Sequence, residues 1–151
     1  MKILLIGRGR MGRLIEQTAG AMGDTVVAAV GRDDLASLDT LDTEADVVMD
    51  FSSPAALSAV AAYVRRTGTP LLSGTTGYTP EQMKTFDHLG QFAPVLHSAN
   101  FSVGIAVLRR VLEQISDVLR PDFDIEIVET HHNQKADAPS GTAKLLLEAI
   151  D

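Results

Sequence analysis

The sequence predicts an α/β chain built on a doubly wound, mostly parallel sheet. Three observations carry that expectation. Short apolar runs alternate with stretches of helical periodicity along most of the chain, the pattern of strands joined by helical crossovers. The first run, Ile3 to Ile6, is apolar without interruption, as a strand covered on both faces must be. It leads directly into Gly7-Arg8-Gly9-Arg10-Met11-Gly12 and then a helix, the setting in which a GxGxxG spacing signals a dinucleotide-binding, Rossmann-type domain.

Each glycine of that turn has its own reason. Gly7 permits the tight turn, Gly9 lets backbone approach a pyrophosphate, and Gly12 lets the helix, through Leu14, Ile15, Thr18 and Ala19, pack closely on the strand. The helix N-terminus then faces the phosphates. Val26 to Val30 forms a second strand. At its end a dinucleotide domain shows an acid for the ribose hydroxyls or an arginine for a 2′-phosphate. Here Gly31-Arg32-Asp33-Asp34 stands there, so Arg32 leans the site towards NADPH, while Asp33 or Asp34 keeps NADH open.

A third strand, Val47 to Phe51, is followed by Ser53, expected to cap a helix along Ala55 to Val64 with Pro54 in its first position. Gly68 ends that helix. Pro70 to Ser73 is a fourth strand, and Gly74-Thr75-Thr76-Gly77 follows it at the carboxyl edge, where open α/β sheets bind ligands. Thr79-Pro80-Glu81 caps a helix through Met83, Phe86 and Leu89. Val95 to His97 is a fifth strand, with His97 read as a packed or hydrogen-bonded residue, and it ends in Ser98-Ala99-Asn100-Phe101-Ser102. A long helix then places Val103, Val107, Leu108, Val111, Leu112, Ile115, Val118 and Leu119 at helical spacing.

The last stretch, Asp124 to Ala143, carries the densest chemistry. Ile125 and Ile127 alternate with Asp124 and Glu126 as in a half-buried strand from Asp124 to Glu129. His131, His132 and Lys135 follow within five residues. Ala138-Pro139 imposes an extended bend, and Ser140 caps a helix whose first-turn amides, from Gly141, Thr142 and Ala143, suit an anion.

Composition sets bounds on function. The 151 residues are 45% hydrophobic, enough for a cored domain, and the formal net charge of −7 argues against a general nucleic-acid or membrane-surface binder. An anionic ligand needs local cations against that background, and Arg8, Arg10, Arg13, Arg32, His131, His132 and Lys135 can supply them. No cysteine is present, so no disulfide framework or thiolate metal site is expected, and no metal site is assigned. A cytoplasmic setting fits, no apolar run reaches membrane-spanning length, and the N-terminal run is too short for a secretory signal.

The string HHxxKxDAPSGTA, at His131 to Ala143, closely resembles the signature of the 4-hydroxy-tetrahydrodipicolinate reductase (dihydrodipicolinate reductase) family. The N-terminal glycine loop, Gly-Thr-Thr-Gly and Ser-Ala-Asn-Phe-Ser-Val-Gly match that family's pattern as well. The resemblance implies reduction of 4-hydroxy-tetrahydrodipicolinate to tetrahydrodipicolinate with NADPH or NADH, in the diaminopimelate and lysine pathway. It implies that Gly7 to Gly12, Arg32, Gly74, Thr75, Thr76, Ser98, Ala99, Asn100 and Phe101 bind the cofactor. His131 resembles the catalytic acid/base and Lys135 the proton donor, and His132, Gly141 and Thr142 would hold the carboxylates of a small dicarboxylate substrate. It also implies a homo-oligomer, a tetramer in the family.

Two departures qualify the match. The glycine loop is one residue shorter than the GxxGxxG common in the family. Family members also continue well past Asp151, so the chain is expected to hold a dinucleotide-binding domain over 1–121 and the start of a truncated α+β substrate domain over 122–151. A strand at Asp124 to Glu129 then lacks its usual partners. The alternative is a catalytically deficient NADPH-binding module of the same family. A different Rossmann dehydrogenase acting on a semialdehyde would call for a cysteine nucleophile, which the chain lacks.

Overall fold

The computed structural model describes residues 1–131, 133 and 138–150. Its contacts divide the chain into two units, Met1–Ser98 and Ala99–Asp151.

The first unit alternates strand and helix: β1 (Lys2–Ile6), α1 (Arg10–Ala21), β2 (Thr25–Val30), β3 (Val47–Asp50), α2 (Leu57–Thr67), β4 (Leu71–Ser73), α3 (Pro80–Leu89) and β5 (Val95–His97). The five strands are all parallel, in the order β2-β1-β3-β4-β5. The chain therefore winds one way from β1 to β2 and the other way from β3 onward, and the reversal lies between β1 and β3.

β1 is central, and Ile3, Leu4, Leu5 and Ile6 are each 1% exposed or less. Successive side chains of a strand face opposite sides. Leu4 and Ile6 join Val48, Leu71, the α2 residues Val60 and Val64, and Phe86 and Leu89 of α3 in one core cluster. Leu5 faces the other way, towards Gly12 of α1. Both faces of the sheet thus carry helices, which is why the first run tolerates no polar residue.

Some helix ends follow the chemistry expected of them, and the cap expected of Ser53 does not form. Thr79 and Gln82 form a reciprocal capping box at α3, and Gly68 closes α2 in the left-handed region at φ 69°. Ser53 makes no side-chain cap. A short 3-10 turn, Pro54–Ala56, intervenes, and α2 starts at Leu57. The Ala56 amide donates to the Ser53 carbonyl, so the turn is closed by Ser53's backbone in place of its hydroxyl.

The second unit contains α4 (Val103–Leu119) and α5 (Gly141–Leu147), packed together. The α4 C-terminus and the segment after α5 are joined by the buried Ser116, whose hydroxyl donates to the Ala149 carbonyl at 3.5 Å, and by the Arg120 guanidinium, which donates to the Ile150 carbonyl. The apolar stripe of α4 is largely uncovered, with Val103 and Val118 at 78% and 75% exposure.

The strand expected at Asp124 to Glu129 has no ladder partner among the described residues. Its alternation survives, with Ile125, Ile127 and Glu129 half-buried and Glu126 and Val128 exposed. An isolated extended segment lacks the cross-strand bonds that would make it a strand.

Candidate functional site

A cavity of about 420 Å³ opens at the carboxyl ends of β1, β2 and β3, lined by Gly7, Arg8, Gly9, Gly31, Arg32 and Ser52 among others. It sits where the winding reverses, the place where open α/β sheets take ligands. α1 begins beside it. Its N-cap is Gly9, which supplies no side-chain cap bond, and its first turn holds no acidic residue. Its orphan N–H groups are thus left to a ligand or water.

The glycine loop is shaped by its neighbours. Gly7 has φ +105°, and a Cβ there would lie 2.4 Å from the Phe51 carbonyl oxygen. A Cβ on Gly12 would lie 1.9 Å from the Gly7 carbonyl oxygen. A Cβ on Gly9 would meet nothing within 4 Å. Packing within the chain therefore requires two of the three glycines and leaves the third unexplained by protein atoms.

On the far wall, Arg32 and Asp33 follow Gly31 into the cavity lining. The Arg8 guanidinium lies 3.8 Å from the Asp34 carboxylate, both well exposed. Arg10 and Met11 are exposed on the first turn of α1.

Gly74-Thr75-Thr76 meets β3 from the side. The Gly74 amide donates to the Asp50 carbonyl at 2.8 Å, and a Cβ on Gly74 would collide with the Phe51 ring. The Ser52 amide donates to Thr75 Oγ1 at 2.9 Å, and Thr75 is 3% exposed. The first two residues of this loop thus bind protein, and Thr76 is exposed.

Beneath them lies a polar cluster the sequence reading passed over. Asp50, 1% exposed, accepts from the Ser52 hydroxyl at 2.5 Å and the Ser52 amide at 3.2 Å on Oδ1. On Oδ2 it accepts from the Ser73 hydroxyl at 3.2 Å and the Tyr78 hydroxyl at 3.1 Å. Burial, with the nearby carboxylate adding to it, pushes the Tyr78 phenol up to about 12. His97 pairs with the Thr75 carbonyl at 3.0 Å and stacks on Phe86, the packed role expected of it. The available signal was a lone acid closing the apolar run Val47-Val48-Met49.

The Ser98 amide donates to the Ser73 carbonyl at 3.1 Å in the first unit. In the second unit, Ala99 is half-buried, Phe101 is 45% exposed and Asn100 bonds Thr142. Ser140 caps α5 as expected, its hydroxyl accepting from the Ala143 amide at 3.0 Å. Gly141 and Thr142 occupy the first turn and are half-buried. The Ala138-Pro139 peptide is cis.

The Glu129 carboxylate ties this cap to His131. It accepts from the Ser140 hydroxyl at 2.5 Å and amide at 2.7 Å, and pairs with His131 Nε2 at 2.8 Å. These donors, the Ser140 hydroxyl foremost, hold its carboxyl down to about 2. His132 and Lys135 lie outside the described residues.

Among the described residues no cluster of histidines and acids is arranged to hold a metal, and no helix is long and apolar enough to cross a membrane.

A parallel sheet that reverses its winding beside a glycine loop and an uncapped helix defines an α/β protein of the Rossmann type. Comparison with known proteins narrows the class. A family model described as "Dihydrodipicolinate reductase, N-terminus" matches residues 1–101, and one described as "Dihydrodipicolinate reductase, C-terminus" matches 104–151. The chain belongs to the dihydrodipicolinate reductase family. It is 44% identical over 154 residues to a 4-hydroxy-tetrahydrodipicolinate reductase of Exiguobacterium sp. (strain ATCC BAA-1283 / AT1b), covering 100% of this chain and 61% of that protein. It is 42% identical to the one of Clostridium novyi (strain NT), covering 99% of this chain and 63% of that protein. A solved structure, the dipicolinate-bound dihydrodipicolinate reductase from Paenisporosarcina sp. TG-14, shares the fold with a TM-score of 0.70 at 23% identity, over 99% of this chain and 65% of that one. The chain thus spans less than two thirds of the length of these relatives.

Proposed function

We propose that the chain carries the cofactor site and part of the substrate site of a cytoplasmic 4-hydroxy-tetrahydrodipicolinate reductase of lysine and diaminopimelate biosynthesis. The carrying observation is the cavity at the sheet's reversal point, bounded by Gly7, Gly9 and Arg32 beside the uncapped start of α1. A dinucleotide fits it: Gly9 leaves open backbone where a pyrophosphate needs close approach. Arg32, following a glycine, supports NADPH over NADH because it suits a 2′-phosphate. When bound, the nicotinamide supplies the hydride.

The chain's own residues do the rest. The glycine loop and Arg32 hold the phosphates, with Gly74 to Thr76 and Ser98 to Phe101 as further cofactor contacts. His131 acts as acid/base and Lys135 donates the proton. Gly141, Thr142 and His132 grip the carboxylates of a small dicarboxylate. Homo-oligomerisation, as a tetramer, completes the assembly.

The second reading, a module that holds NADPH without turnover, is favoured by the segment Asp124 to Glu129, which has no ladder partner among the described residues. One experiment separates the two. NADPH titration of this chain tests the site, and substrate-dependent loss of NADPH absorbance, with and without a C-terminal extension, tests turnover. In whichever form is active, Lys135→Ala cuts turnover far more than NADPH affinity. Equal losses of both would remove Lys135 from the proton-donor role.

A further inference from the structure

We propose that Asp50 is a positioning residue for the dinucleotide cavity, fixing the Phe51–Ser52 wall in the shape that admits the ligand, an inference that rests on the nucleotide reading above. The cavity lining includes Phe51 and Ser52 but not Asp50. Asp50 is the last residue of β3, and its side chain turns beneath the loop that follows. One carboxylate oxygen holds Ser52 by both its amide and its hydroxyl. The other holds Ser73, at the end of β4, and Tyr78, on the loop before α3.

The carboxylate therefore joins the exits of two neighbouring strands. Thr75 completes the brace by accepting from the Ser52 amide at 2.9 Å, and Thr75 is itself anchored through its carbonyl to His97. The wall matters because it touches the glycine loop: a side chain at Gly7 would strike the Phe51 carbonyl oxygen and the Ser52 Cα. The space above Gly7 is thus set by where Phe51 and Ser52 sit. Their backbone is placed in turn by an acid that never meets the ligand.

Stability alone does not explain the choice of residue. An aliphatic side chain would continue the apolar run of β3 without the desolvation cost of a carboxylate. A buried carboxylate with several donors gives one defined arrangement of the loop above it.

The test separates affinity from folding. Asp50→Asn replaces one acceptor oxygen by a donor and frees one side of the brace. Expected is at least tenfold weaker NADPH binding by fluorescence titration, in a variant that melts cooperatively. Should D50N fail to fold, the double variant Ser73→Ala/Tyr78→Phe carries the test, since it removes two donors that lie outside the cavity lining and leaves the acid in place. A tenfold loss of affinity at preserved secondary structure supports the proposal. A lowered Tm with unchanged NADPH affinity in the folded variant makes Asp50 a scaffold residue only and overturns it. Absence of NADPH binding by the unaltered chain sinks the nucleotide reading itself, a result distinct from a loss confined to the variants.

Discussion

The Asn100 side-chain amide donates to Thr142 Oγ1 at 2.8 Å, across 42 residues of sequence. Asn100 also accepts from the Ser102 amide at 2.7 Å, so one side chain ties the start of α4 to the first turn of α5. The pair links a residue proposed above to contact the cofactor with one proposed to hold the substrate. Thr142→Val should cost about 1 kcal/mol, the usual worth of a neutral hydrogen bond, and Asn100→Ala about 2 kcal/mol, since it removes two. The double variant should cost less than the sum by roughly 0.5 kcal/mol or more. Denaturant unfolding of the four proteins measures the coupling, and strict additivity would mean the bond carries no weight in solution.

Gly9 and Gly12 should respond in opposite ways to the same added methyl. At Gly12 the methyl meets backbone, 1.9 Å from the Gly7 carbonyl oxygen. Alanine's better helix propensity, about 1 kcal/mol, is smaller than the clash, and overpacking costs about 1–3 kcal/mol or more. Gly12→Ala should therefore lower Tm. At Gly9 the methyl enters open space, so Gly9→Ala should stay within about 1 kcal/mol in stability, mostly the lost preference for glycine at an N-cap. Its NADPH affinity should nonetheless drop roughly tenfold, as the methyl fills the phosphate approach. Unchanged affinity would place the pyrophosphate elsewhere.

How much of this was legible in the sequence depends on whether a feature is local. β1 could be read because a strand covered on both faces admits no polar residue, and Gly68 and the Thr79 cap because each acts within one helical turn. Ser53 misled because a 3-10 turn engaged its carbonyl first. Gly74, proposed as a cofactor contact, also donates its amide to Asp50, and its bare Cα makes room for Phe51. That requirement belongs to two strands at once and leaves no mark in either segment alone. Glu129 was nearer to hand: in extended backbone, residues two apart share a face, which brings it to His131. Its bond to Ser140, 11 positions further along the sequence, was not foreseeable.

Arg32 should decide between the two nicotinamide cofactors. It lines the cavity next to Gly31, where an acid would select an unphosphorylated ribose. Charge-assisted contacts to phosphate are worth about 1.5–3 kcal/mol. Arg32→Ala should therefore weaken NADPH binding by roughly tenfold or more and leave NADH binding within about threefold. Parallel fluorescence titrations check the ratio. Equal weakening of both cofactors would assign Arg32 to the shared part of the molecule, and no change in either would leave it a surface cation.

Glu129 should make the second unit sensitive to acid. The Ser140 hydroxyl, His131 and the Ser140 amide hold its carboxyl at about 2, below the ordinary 4.5. A carboxyl with a depressed folded value binds fewer protons folded than unfolded, so its contribution is complete above about 4.5 and fades as pH falls towards 2. The Ser140 amide donates to one oxygen of this carboxylate and the Ser140 hydroxyl to the other; protonation turns one of the two acceptors into a donor, and that hydroxyl is the cap of α5. Hydrogen exchange at the Ala143 amide, which donates to Ser140 Oγ, should accelerate through this window relative to the amides of β1. Glu129→Gln should remove most of the pH dependence and raise exchange at Ala143 already at neutral pH. If the variant and the unaltered chain keep parallel profiles between pH 5 and 2, roughly the span of the shift, the carboxylate does not brace the cap, and the turn bearing His131 is held by other contacts.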